Sequence, residues 1–152
     1  MDLNLFESRA SILFTKVPMS PSSNNQYTLV RRGGRTFHVP SLELKTYQKN
    51  MIKYPLTCPE LFMVGKQKIK DWLAHGLPLE IRAIFFFKRE KIFTKAGKAK
   101  KLDVSNRIKA LHDCLCELLE MDDSMFFRVY VEKAECHPNL EEMVCVEILP
   151  CR

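Results

Sequence analysis

Residues 79–87 read LEIRAIFFF, passing from partial alternation into an unbroken apolar run. A strand of that pattern leaves neither face for water, so it belongs in the middle of a sheet. The rest of the chain has to cover it. Residues 11–17 (SILFTKV) form another strand, β-branched and aromatic, ending at Pro18. Residues 126–136 alternate, with Phe127, Val129 and Val131 on one face, and His137-Pro138-Asn139 turns the chain. Residues 143–149 return as a last strand with Val144, Val146 and Ile148 together, expected to pair antiparallel with the strand before it. Phe126 and Phe127 are expected in core and interface.

Helices fill the gaps. Ser41 caps a helix to residue 53, with Leu44, Tyr47 and Met51 on one face. A second, over 61–75, turns Phe62, Ile69, Trp72 and Leu73 inward; Gly65 is expected to break it and Gly76 to stop it. Val104, Ile108, Leu111, Leu115, Leu118 and Leu119 recur at the spacing of one buried helical face. The order predicts an α+β domain with a mixed β-sheet and helices mainly on one face. At 152 residues, 1–152 is a single domain with enough chain for a real core.

The third helix carries the chemistry. Asp103 and Ser105 stand at its start, either able to serve as N-cap, and Asp122-Asp123-Ser124 follow its end. Carboxylates from both ends, Asp103, Asp122 and Asp123, are candidates to meet at one hard cation, which takes oxygen ligands and keeps several waters. The same residues also serve as a cap and a polar turn. Lys109 and Asp113, four apart, are neighbours on the helix surface.

Basic residues flank this helix. Residues 88–101 hold seven Lys or Arg (Lys88, Arg89, Lys98, Lys100 and Lys101 among them) against one Glu90, and read as a mobile solvated loop leading straight to Asp103. Arg31, Arg32 and Arg35 surround Gly33-Gly34 in a turn between extended segments 27–30 and 36–39. Asn24 and Asn25 lie in a Pro/Ser/Asn-rich loop over 18–25 whose side chains suit phosphate oxygens. With a net charge of +6, these segments are candidates to hold a nucleic-acid backbone.

Other classes recede. No stretch approaches the roughly 20 apolar residues of a membrane span, so no membrane partner is expected. Asp2, Glu7 and Arg9 interrupt any leader pattern, making the cytoplasm the default location. The six cysteines show no Cys-x-x-Cys pair and no zinc spacing, and read as free thiols. His38 and His112 are assigned no direct role. A basic RNA- or partner-binding module would rest on charge alone, without the aromatic pattern or Gly-x-x-Gly loop of known RNA readers.

Asp103, Asn106, Lys109, Ala110, Asp113, Asp122 and Asp123 follow, in order and spacing, the signature Asp-x-Asp-Asn-x-x-Lys-Ala-x-x-Asp then Asp-Asp. Pro21, Ser22, Asn24 and Tyr27 match a second segment, Pro-Ser-x-Asn-x-x-Tyr. Together they resemble the RusA family of Holliday-junction resolvases, over about residues 17–135. That resemblance implies a RusA-like fold and a homodimer acting on four-way junction DNA in recombination and repair. It also implies Mg²⁺ as cofactor, with Mn²⁺ as a substitute, and paired symmetric nicks. Asp103 and Asp123 would be catalytic and hold metal, Asp122 would assist, Lys109 would stabilise charge, and Asn106 and Asp113 would support the site. The chain departs at one position: Ser105 stands where the family has an aspartate. A neutral hydroxyl is a poor Mg²⁺ ligand, so the alternative is a catalytically impaired junction-binding protein.

Overall fold

The computed structural model describes residues 10–151; Asp2, Glu7 and Arg9, on which the leader reading rests, lie outside them. Strand β1 (Ile12–Val17) is followed by a 3₁₀ turn (Ser23–Asn25), a hairpin of β2 (Tyr27–Arg32) and β3 (Arg35–Pro40), and helices α1 (Leu42–Lys53) and α2 (Pro59–Ala74). Then come β4 (Leu79–Phe87), a helical turn α3 (Arg89–Ile92), α4 (Ser105–Leu119), a 3₁₀ turn (Asp123–Met125), β5 (Phe126–Glu135) and β6 (Met143–Pro150).

The main sheet has the order β1-β6-β4-β5, and the hairpin forms a separate two-stranded sheet. The apolar run is thus an internal strand, as its composition demands. It pairs antiparallel with β6 and parallel with β5. This corrects the expectation that β5 and β6 form a hairpin. Strand β6 brings Val144, Val146 and Ile148, all 0 % exposed, and such a strand is stable only between two others. Strand β5 carries Arg128, Glu132, Lys133 and Glu135, which suit an edge. It is reached through α4, making β4-α4-β5 a crossover unit with parallel strands.

One face of the sheet is covered. Ile12, Phe14, Ile81, Ala83, Phe85, Phe87, Val144, Val146 and Ile148 join Leu44, Tyr47 and Met51 of α1, Phe62 and Ile69 of α2, and Leu111, Leu115 and Leu119 of α4 in one core. The other face presents Leu13, Arg82, Tyr130 and Glu147. There Glu80, almost fully buried, accepts from Arg82 Nε at 2.6 Å and faces Arg128 at 3.6 Å, so the carboxylate is not left as an uncompensated buried charge.

Helix α1 begins as read, with the Ser41 hydroxyl accepting from the Leu44 amide at 3.1 Å. Helix α2 begins two residues earlier, with Pro59 at its first turn, and Gly65 does not break it. A Cβ at Gly65 would stand 2.9 Å from Ile12 Cγ2 and 3.2 Å from Phe14 Cζ, so the glycine is what lets helix and strand approach. In β5 a register shift opposite Leu79 and Glu80 separates Phe126 from Arg128. Phe126 is buried, while Phe127 is 71 % exposed and leaves the face shared by Val129 and Val131. Residues 88–101 hold the turn α3 and a bridge between Phe93 and Ala99. All six cysteines are free. Among the described residues no helix is long and apolar enough to cross a membrane.

Candidate functional site

Helix α4 is the axis of the site. Asp103 lies two residues ahead of it, and Asp122 and Asp123 lie just past it. Ser105 is the first helical residue rather than the cap. It donates from both its amide (2.9 Å) and its hydroxyl (2.6 Å) to Asp103 Oδ1. The Ser105 hydroxyl, with backbone amides of Ser105 and Asn106 and the charge of Lys133, holds the Asp103 carboxyl below the usual carboxylate range.

At the far end, α4 stops at Glu120, which takes a left-handed conformation (φ +56°). The Met121 amide reaches back to the Cys116 carbonyl at 3.0 Å and satisfies the last turn. Glu120 is gripped by Lys66 at 2.8 Å and Lys70 at 2.6 Å of α2, which lower its pKa to about 2. The chain then delivers Asp122 and Asp123. Asp122 Oδ1 accepts from the Ser124 amide at 2.8 Å, capping the 3₁₀ turn, and Ser124, through its side chain first and then its amide, lowers the Asp122 pKa. Asp113, Asp122 and Asp123 all raise the buried Cys116 thiol, though burial is the larger cause, and together they bring it to about 12. Lys109 leans toward Asp113, 3.9 Å away on the exposed side.

Two motifs far apart in sequence meet here. The Ser20 hydroxyl donates to the Arg107 carbonyl at 2.8 Å, and Arg107 Nη1 donates back to the Ser20 carbonyl at 2.5 Å. Gln26 Nε2 reaches the Pro21 carbonyl at 3.2 Å and the Asn106 carbonyl at 3.4 Å. Ser20 and Gln26 are buried. The Arg107 guanidinium stacks on Phe87, 5.3 Å from the ring centre. These bonds tie the loop bearing Asn24 and Asn25 to the start of α4. Asn24 and Asn25 themselves are exposed in the 3₁₀ turn.

Sequence reasoning missed Ser20, Gln26 and Arg107, because nothing local distinguishes a buried staple from a polar surface residue. It also missed Lys133, whose Nζ donates to the Leu102 carbonyl at 3.0 Å. His112 packs on Phe126 with ring centres 5.3 Å apart, and burial lowers its pKa despite nearby Asp123 and Asp113. Its Nε2 is buried without a partner among the described residues.

The basic segments divide. Arg31, Arg32 and Arg35 are exposed around a two-residue turn in which Gly33 and Gly34 take φ of +55° and +75°. In the loop after β4, Lys88 bonds the carbonyls of Pro138 and Leu140, Arg89 pairs with Glu135 at 2.9 Å, and Lys100 donates to the Glu90 carbonyl at 2.6 Å. Lys98 and Lys101 are exposed with no side-chain partner among the described residues.

The profile of the family described as Endodeoxyribonuclease RusA matches residues 18–145. The chain belongs to that family. Membership brings the class of activity, endonucleolytic cutting of DNA at Holliday junctions, and RusA nucleases are generally dependent on divalent metal. No curated protein matches the chain. Among solved structures, the 2C-methyl-D-erythritol 2,4-cyclodiphosphate synthase of Plasmodium vivax is similar over 92 % of this chain and 93 % of its own. It shares 9 % identity at a TM-score of 0.31, a likeness too slight to bear on fold or function.

The donor set suits a hard cation. Asp103, Asp122 and Asp123 offer only oxygen, and Mg²⁺ asks for one or two carboxylates beside water and substrate phosphate. Among the described residues, however, no three His, Cys, Asp or Glu side chains stand close enough to form a ready cage. Asp103 stands at one end of α4 and Asp122 and Asp123 at the other, about 22 Å of helix away, so one chain does not bring the three carboxylates together.

Proposed function

We propose that this chain is a Mg²⁺-dependent, structure-selective endonuclease that resolves four-way DNA junctions as a homodimer by paired symmetric nicks, in recombination and repair. Mn²⁺ would substitute for Mg²⁺. The observation that carries the reading is the joining of both RusA motifs through Ser20, Gln26 and Arg107 at the start of the helix that bears Asp103. The bound cation would polarise the scissile phosphate and activate water. Asp103 would hold it at the start of α4. Asp123, with Asp122 assisting, would reach it only across the homodimer, because α4 separates the two ends by about 22 Å within one chain. Asn106 and Asp113 would keep the helix and Lys109 in place. Lys109 would swing from Asp113 to the phosphate and offset its developing charge. Asn24, Asn25, Arg31, Arg32, Arg35, Lys98 and Lys101 would contact the DNA backbone. Lys88, Arg89 and Lys100, with partners of their own, would shape the loop that presents it. The RusA homodimer suits a junction cut at two symmetric points.

Ser105 favours a second reading. Its hydroxyl points a donor at Asp103 Oδ1, using a lone pair a cation would take, and brings no charge of its own. On this reading the chain binds junctions but turns over slowly.

Cleavage of a mobile four-way junction and of linear duplex, in Mg²⁺ and in Mn²⁺, tests both. The chain is assayed beside Ser105→Asp and Asp103→Asn. Paired nicks in the junction alone, lost in Asp103→Asn, are expected. Equal cutting of linear duplex, or cutting that survives Asp103→Asn, would sink the proposal. If only Ser105→Asp cuts while both bind the junction equally in EDTA, the second reading holds.

A further inference from the structure

Lys109 is the lysine of the helical motif, yet in this structure it faces Asp113, well along α4 from Asp103. A different lysine stands by Asp103. Lys133 lies near the C-terminal end of β5, opposite Phe85 in a regular ladder, so its backbone is fixed by pairing with the internal strand. Its register puts it on the side of the sheet that carries the helices. From there its ammonium crosses to residues 102–104, which no strand or regular helix holds, and takes the Leu102 carbonyl at 3.0 Å. The next residue is Asp103. A flexible approach to the acidic site is thus tied to a rigid strand by one charge-assisted bond.

We propose that Lys133 is a positioning residue of the acidic site, fixing the main chain at Leu102 and setting a cation beside Asp103. The inference rests on the nuclease reading for its consequence in catalysis, but the contact itself does not depend on that reading. The two roles have opposite signatures. As a neighbouring charge, Lys133 competes with a bound cation, so its removal strengthens metal binding. As a tether, it holds Asp103 in the geometry that cleavage needs, so its removal slows the cut. A merely structural lysine would weaken both together with stability.

Three readouts on the full chain, in the native and Ser105→Asp backgrounds, test this with Lys133→Met and Lys133→Arg. In the metal-free protein, the amide NMR signals of Asp103 and Val104 should shift in Lys133→Met and return in Lys133→Arg. Mn²⁺ binding, followed by its paramagnetic resonance, should tighten about threefold or more in Lys133→Met. Single-turnover junction cleavage at saturating Mn²⁺ should fall about tenfold or more in Lys133→Met and largely recover in Lys133→Arg. Unmoved amide signals would overturn the proposal, as would a Met variant that cuts and binds Mn²⁺ like its parent. So would losses that follow a lowered melting temperature and are not rescued by Arg. If neither parent background cuts DNA yet the amide and Mn²⁺ responses appear, the nuclease reading fails and Lys133 keeps its place. If both parents cut and Lys133→Met cuts equally well, Lys133 fails and the nuclease reading stands.

Discussion

The two ends of α4 carry acidic residues of one family signature, yet they are secured in different ways. The N-terminal end is secured from a distance: Ser20 and Gln26, both buried, bond the main chain of Arg107 and Asn106, and Arg107 returns the bond while lying on Phe87. At the C-terminal end the means lie nearer the surface. Exposed Glu120 turns the chain in a left-handed conformation held by half-buried Lys66 and exposed Lys70, and Asp122 caps its own turn. Buried hydrogen bonds are costly to break because the abandoned partner stays dry, whereas water replaces surface partners cheaply. One end of α4 should therefore be rigid and the other adjustable.

Breaking the rigid end should cost most. Arg107→Leu leaves the Ser20 carbonyl without its donor and should destabilise the protein by about 2–3 kcal/mol in urea unfolding. A loss below about 0.5 kcal/mol would place this contact with ordinary surface pairs. Gln26→Leu removes two longer bonds from a buried site and should cost about 1–2 kcal/mol by the same measure. It should also raise hydrogen exchange at the Asn106 and Arg107 amides. At the adjustable end, Asp122→Ala should lower the melting temperature less than either, with its effect confined to the 3₁₀ turn and the first residues of β5.

Glu120 gives the smallest effect and a sign. Its pKa is lowered from 4.5 to about 2, first by hydrogen bonds from Lys66 and Lys70 and then by their charge. A depressed carboxylate adds stability above its unfolded pKa and loses it as pH falls through the folded value. The stability gap between native and Glu120→Ala should thus be fully present at neutral pH, shrink below about pH 4.5 and close near pH 2. Because Glu120 has φ of +56°, Glu120→Gly loses the same ion pairs but eases the backbone, and should melt above Glu120→Ala at pH 7. A gap independent of pH would show that the lysine contacts do not form in solution.

Much of this was legible in the chain. The internal strand followed from a largely apolar run of nine residues, and α4 from the recurrence of its apolar side. The cap at Ser41, the turn at Gly33-Gly34 and both RusA motifs are local patterns, set by neighbours a few residues away. The failures share a cause. Gly65 was read by its propensity, when it serves the approach of Ile12 and Phe14. The final strand was paired with its neighbour in sequence, when it lies between β1 and β4. Part of the basic run was read as free charge, when Lys88, Arg89 and Lys100 find partners remote in the chain or across their own turn.

By itself, the sequence determined the α+β class, the position of β4, the family and the acidic residues its signature names, because each is written in composition or short spacing. Only the tertiary structure decided how the two motifs are joined, which basic residues already have partners, and that Lys133 holds the main chain just ahead of Asp103. Those depend on contacts between residues tens of positions apart, which packing of the helices on one face of the sheet brings within hydrogen-bond reach.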